Sequence, residues 1–200
     1  MRKLVEVAQC PSWAWQMVCG GSPTLKLFTE IVGPVPAGST IAEVMQRQIN
    51  DAFTWKDLDW LREVWPGQLV LKGVSTAAQV RTAVSAGVDG VVVSNHGGRQ
   101  LDGAPSSIEQ LPGVANAAQG RLEVLVDSGF RSGADIAKAL ALGANAVQIG
   151  RPALFGLAAA GEAGVGHVLQ LLIAELSSAM ALCGATNVRD LLGCAQVEGL

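Results

Sequence analysis

The chain of 200 residues has no tyrosine, only two histidines, and 14 basic against 17 acidic side chains. With a formal net charge of −3 and no Lys/Arg run, it lacks a basic face, and no nucleic-acid partner is expected. The four cysteines (Cys10, Cys19, Cys183, Cys194) include no C-x-x-C pair and have no histidine at zinc-ligand spacing. They read as free thiols, and no metal is expected. Residues 1–6 are not expected to begin a secretion signal, because Glu6 interrupts them and no long apolar stretch follows. No run of 18 uncharged apolar residues occurs, so no obvious transmembrane helix is read and a cytoplasmic location is expected. No G-x-G-x-x-G follows a strand-like run, so a Rossmann nicotinamide site is unsupported.

Half the residues are apolar, 16% are charged and 24 are glycine, a balance that suits a globular α/β chain. Residues 1–50 are punctuated by Pro11, Gly20, Gly21, Pro23, Gly33, Pro34, Pro36 and Gly38, and are predicted to be an irregular apolar loop region. Trp13, Trp15, Val18 and Leu27 there are expected to pack on a partner surface or to be mobile.

Residues 51–200 are predicted to form the second region. Thr54 and Asp57 mark a helix start, and Pro66-Gly67 its stop. Trp55, Trp60 and Trp65 are expected to serve helix packing. Four short β-branched runs follow, at 69–71, 90–93, 124–126 and 146–149, and read as strands buried on both faces. Helices are predicted over 76–86, capped by Ser75, and over 132–142. Each ends at a glycine, Gly87 or Gly143. Residues 83–93 can be laid on residues 139–149, a repeated helix–glycine–strand unit that implies a parallel sheet of about four βα units.

Each run is followed by a polar or special residue: Lys72, Ser94, Asp127 and Gly150. In a βα barrel the carboxyl ends of the strands form the reactive face. A lysine there can stabilise a developing anion. His96 is placed for acid–base work near neutral pH, and Arg99 offers a planar fork for a carboxylate, with Gly97-Gly98 turning the loop between them. The string DSGFRSG (127–133) leads into a helix and, with Arg131, reads as a phosphate cradle. Gly150-Arg151-Pro152 adds a second arginine. His167 opens a predicted amphipathic helix and reads as structural or exposed.

Together, LKG (71–73), SNHGGRQLD (94–102), DSGFRSG (127–133) and GRP (150–152) resemble the FMN-dependent 2-hydroxy acid dehydrogenase/oxidase family. The resemblance runs from about residue 51 to about residue 192 and implies the C-terminal half of a TIM (β/α)₈ barrel, strands five to eight. It implies FMN as cofactor, held by Lys72, Ser94, Asp127, Ser128, Gly129, Phe130, Arg131, Gly150 and Arg151. His96 would be the base, and His96 and Arg99 would bind a small 2-hydroxy acid. Oxygen, a quinone or a cytochrome would accept the electrons, and complete relatives are expected to form homo-oligomers. One branch implies attachment at the inner face of the membrane.

The family's first half supplies two tyrosines and an aspartate to the site, and this chain has no tyrosine. The resemblance therefore implies a missing N-terminal half barrel as a partner. The alternatives are a non-catalytic flavin- or phosphate-binding half barrel, a truncated gene product, or an FMN barrel of another reaction such as isopentenyl diphosphate isomerisation.

Overall fold

The computed structural model describes residues 9–21, 25–36, 38–48 and 52–195. The readings placed on residues 1–6 and on Pro23 lie outside them. The chain divides into two compact units, Met1–Phe53 and Thr54–Leu200.

The first unit is helical where irregular chain is predicted. It carries α1 (Pro11–Gly20), α2 (Lys26–Val32) and α3 (Ile41–Gln48). Glycine and proline limit these helices to two or three turns without abolishing them. Gly21 and Gly33 close α1 and α2 at positive φ, and Pro11 opens α1, where its missing N–H costs no intrahelical bond. Trp13, Trp15, Val18, Leu27 and Ile31 are exposed.

The second unit alternates helix and strand: α4 (Asp57–Val64), β1 (Val70–Val74), α5 (Ala77–Ser85), β2 (Gly90–Val93), α6 (Ser107–Ala118), β3 (Glu123–Val126), α7 (Gly133–Ala141), β4 (Ala146–Val147) and α8 (Arg151–Leu182). The strands pair in the order β1-β2-β3-β4, all parallel. This is the parallel α/β arrangement expected from the repeat, and it fits the half barrel that the family resemblance implies. Valines 91, 92 and 93 of β2 are all buried, as the unalternating run requires. The core joins the strands to α5 and α6 through Val80, Ala83, Leu111 and Val114, all fully buried.

Several local readings are corrected. Thr54 does bind Asp57, whose carboxylate accepts from its N–H at 2.6 Å and its hydroxyl at 2.8 Å, but the helix starts only at Asp57. Thr76, not Ser75, caps α5, in a reciprocal capping box with Gln79. Helix α6 has no counterpart in the reading because Pro112-Gly113 lies inside it. Its own capping box, Ser106 with Glu109, sets its start. β4 is shorter than the apolar run 146–149. Trp55, Trp60 and Trp65 are exposed rather than packed in the core.

The repeated unit has a geometric cause. Asp89 donates its N–H to the Leu69 carbonyl at 2.8 Å, while its carboxylate accepts the Leu69 N–H at 2.7 Å. Asn145 makes the same pair with Val124, both at 2.7 Å. Each Asx residue thus registers the strand it opens against the preceding one. The left-handed glycine two residues earlier (Gly87 at φ +68°, Gly143 at φ +101°) turns the chain into place.

α8 has the length and apolar composition to cross a membrane, the one described helix that does, although no uncharged apolar run of 18 exists. An alanine- and leucine-rich helix meets that criterion while carrying Glu175. Its backbone breaks at Ala160 and Gly161 (φ +59°), giving two segments that fold back on each other. At the crossing, a Cβ on Gly164 would stand 2.0 Å from the Gly156 carbonyl oxygen. The second segment packs on α7 and the Val188–Leu191 turn through Leu176, Ala179 and Met180.

Gly164→Ala is therefore expected to destabilise the chain by about 1–3 kcal/mol, because two backbones must separate. Gly166→Ala on the same helix, where a Cβ meets nothing within 4 Å, is expected to be neutral or to stabilise by up to about 1 kcal/mol. Urea unfolding of the two variants beside wild type measures the contrast.

Candidate active site

Parallel pairing brings the carboxyl ends of all four strands to one rim. Ser94 and Asp127 directly follow β2 and β3, as the spacing predicts. Two placements differ. Lys72 lies inside β1, which continues to Val74 past an irregularity at Gly73 (φ +91°). Gly150 comes three residues after β4. The bulge at Gly73 keeps pairing alive beyond the lysine, and β4 stops early.

Lys72 forms an ion pair with Asp127, and its Nζ also donates to Ser94 Oγ at 3.3 Å. The Ser128 hydroxyl donates to the other Asp127 oxygen at 2.7 Å. Burial raises the Asp127 carboxyl, but hydrogen bonds from Lys72, Ser94 and Ser128 outweigh it and hold the group below its ordinary value. Ser94 is buried beneath this cluster and is the one predicted site residue that does not reach the cavity described below.

His96 opens a short 3-10 turn, His96–Gly98. Its φ is +55°, and the backbone around it is tied on both sides. The His96 N–H donates to Ser94 Oγ at 3.1 Å, and the Gly97 N–H is shared between Asn95 Oδ1 at 2.9 Å and Ser128 Oγ at 3.0 Å. The His96 and Arg99 side chains are exposed on the rim. A Cβ on Gly97 would lie 3.6 Å from the Arg151 guanidinium, so the His96 loop and the arginine that opens α8 are neighbours.

The anion site is rearranged relative to the reading. The amides at the start of α7 are already taken: Asp135 accepts those of Arg131 and Ser132, both at 3.1 Å, and Glu175 accepts that of Gly133 at 2.7 Å. The α7 N-terminus is thus neutralised from within. The α8 N-terminus has no side-chain cap, since Gly150 occupies its cap position, and it carries Arg151 in its first turn. The positive end of α8 with Arg151 and Arg131 forms the anion-attracting corner.

These groups face one open cavity of about 670 Å³, lined by Lys72, His96, Arg99, Asp127, Ser128, Gly129, Phe130, Arg131, Gly150 and Arg151. Phe130 is almost wholly buried, and its side chain belongs to the core. Gln148, Ile149, Pro152 and Leu154 also line the cavity and were not singled out from the sequence. Gln148 carried a signal: it is a polar residue inside an apolar strand run. Among the described residues no group of acidic, histidine and cysteine side chains could hold a metal ion. His167 is exposed elsewhere on α8.

The family model for FMN-dependent dehydrogenases matches residues 1–195. An L-lactate dehydrogenase of Chromohalobacter salexigens is 40% identical over 192 residues, covering 96% of this chain and 49% of that protein. One from Serratia proteamaculans is 39% identical over 201 residues, covering 100% and 53%. Among solved structures, mandelate oxidase with 3,3-difluoro-2-hydroxy-3-phenylpropionic acid is 49% identical with a TM-score of 0.68, covering 70% of this chain and 42% of that one. A mandelate oxidase variant with the monooxide FMN adduct is 48% identical with a TM-score of 0.69, covering 70% and 45%. The chain spans about half the length of the lactate dehydrogenases it matches.

Because the folded-state value of Asp127 lies below its ordinary 3.8, its ionised form contributes stability above that pH, and the contribution is lost as pH falls through the folded value. Asp127→Asn is expected to remove this part of the acid-side loss while leaving that of other carboxylates. Unfolding free energies of the two proteins between about pH 6 and 3 should therefore converge on acidification.

Proposed function

The chain belongs to the FMN-dependent dehydrogenase family, and we propose that it forms the cofactor- and carboxylate-binding half of a site that oxidises a 2-hydroxy acid to the 2-oxo acid. The observation that carries this reading is the convergence of Lys72, His96, Arg99, Arg131 and Arg151 on one cavity.

The donor set fits FMN. Two guanidinium groups and an uncapped helix N-terminus suit a phosphate, and Lys72 supplies a cation about the polar edge of a flavin. When bound, FMN supplies the two-electron acceptor. Arg99 holds the substrate carboxylate by paired hydrogen bonds, fixing the hydroxyl-bearing carbon with respect to His96. The exposed His96 imidazole takes the proton released as the carbinol becomes a carbonyl. Lys72 offsets negative charge that accumulates on the cofactor side, while Asp127 keeps its ammonium in place.

The names of the relatives favour a lactate- or mandelate-type substrate. The described sheet ends at β1 and β4, each paired on one side only. Four further strands, supplied by an N-terminal half barrel, are proposed to close the barrel before turnover. Oxygen, a quinone or a cytochrome is the proposed class of electron acceptor. Homo-oligomeric assembly of the completed enzyme and a cytoplasmic or inner-membrane-face location belong to the same proposal.

The test combines the chain with the first-half barrel of a mandelate oxidase relative, FMN and a dye acceptor, and assays lactate, glycolate and mandelate. Dye reduction with one of these acids is expected. His96→Ala should lower kcat by about 10²–10⁴-fold with flavin retention unchanged. Arg99→Lys should chiefly raise KM, because a point charge replaces the fork. Flavin retained without turnover supports the non-catalytic binding alternative. A mixture that neither retains flavin nor turns over any of the three acids overturns the proposal.

A further inference from the structure

We propose that Asp127, acting through the Ser128 hydroxyl on one side and through Lys72 and Ser94 on the other, is the positioning group that sets the His96 backbone. The base role of His96 rests on the reading given under Proposed function, but the tie itself is a property of this chain.

The two peptide N–H groups that flank the His96 α-carbon both end on serine hydroxyls. The His96 N–H donates to Ser94 Oγ at 3.1 Å, and the Gly97 N–H donates to Ser128 Oγ at 3.0 Å. Ser128 in turn donates to Asp127 Oδ1 at 2.7 Å, and Ser94 accepts at 3.3 Å from the Lys72 ammonium that is ion-paired with the same carboxylate. The direction of every bond follows from chemistry. An amide and an ammonium only donate and a carboxylate only accepts, so Ser128 receives from the backbone and gives to Asp127, while Ser94 receives from both the His96 amide and Lys72. Lys72 holds the carboxylate from the far side and also donates to Ser94, which leaves Asp127 ionised and fully accepting.

The arrangement reads as two arms from one anchor, closing on either side of one residue. Hydrogen bonds in such a chain polarise one another. Ser94 comes from the end of β2 and Ser128 from the end of β3, so the tie also fixes the His96 loop to two strands. It makes no contact through the imidazole, and its effect is therefore on where the ring is held rather than on its proton directly.

The test uses the whole ¹³C,¹⁵N-labelled chain without flavin or substrate. The sequence has two histidines, so His167, exposed on α8, serves as the internal reference. Ser128→Gly and Ser128→Ala both delete the hydroxyl, and glycine tolerates the positive φ at this position (+75°). In both variants the Gly97 amide is expected to exchange about three- to tenfold faster, the range set by one hydrogen bond when Asn95 still accepts from the same donor. The His96 ring resonances should move while those of His167 stay. Ser94→Ala should do the same to the His96 amide. A measurement on the wild type needs no variant: the His96 and Gly97 amide resonances should titrate in step with the Asp127 carboxyl carbon. Folded variants with unchanged exchange and ring resonances overturn the proposal, as does titration of those amides independent of Asp127. If the tie fails while His96→Ala still abolishes oxidation in the completed enzyme, the functional reading stands alone. An intact tie in a protein that oxidises nothing refutes only that reading.

Discussion

Lys72 and Asp127 stand two strands apart, on β1 and after β3, and their ion pair bridges the end of β2. Strands in a sheet lie about 4.8 Å apart, so the pair spans about 10 Å of backbone and needs one long side chain and one short one. Partly withdrawn from water, either charge alone would be costly, and together they satisfy each other. The cavity also gathers Arg99, Arg131 and Arg151, and Asp127 is the only carboxylate among its lining residues. Without it, Lys72 would face only like charges, and the Ser128 hydroxyl under the His96 loop would lose its acceptor.

That arrangement depends on strand register, and the register is set at the opposite end of the sheet. Asp89 and Asn145 each clamp a strand to its predecessor by a reciprocal backbone and side-chain pair. Slipping either pairing by one residue would turn alternate side chains to the other face and displace Ser94 or Asp127 from the rim. The fold thus separates its tasks: short polar side chains at the amino ends fix geometry, and ionised side chains at the carboxyl ends use it.

Much of this was legible in the sequence, for physical reasons. β-branched runs such as residues 90–93 are wholly buried, as an unalternating run in a parallel sheet requires, and the repeat around Gly87 and Gly143 announced its own turn. The polar residue after each run marked the rim. What escaped involved competition between nearby groups. The DSGFRSG string looks like an anion cradle until Asp135 and Glu175, from within α7 and from 42 residues downstream of Gly133, take its amides. Helix α6 was hidden by Pro112, which its capping box overrides. The extension of β1 past Lys72 depends on a bulge that no pattern of apolar residues encodes. In the first unit, punctuation limited helix length but did not prevent helix.

The choice of residue at two non-glycine left-handed positions of the rim argues the same point from another side. His96 (φ +55°) and Ser128 (φ +75°) are not glycine, although Gly97, Gly98 and Gly129 lie beside them and also have positive φ. A side chain in that region costs roughly 1–2 kcal/mol. Glycine would adopt both conformations without strain, so the fold itself does not ask for histidine or serine there. What glycine cannot supply is the imidazole at one position and the hydroxyl that joins Gly97 to Asp127 at the other. The strain at Ser128 is offset by two hydrogen bonds that its own side chain makes, one to each loop, whereas that at His96 is offset only by its neighbours. The strain on the exposed imidazole is thus carried by buried or half-buried partners, so a group that must face the cavity is held by groups that need not.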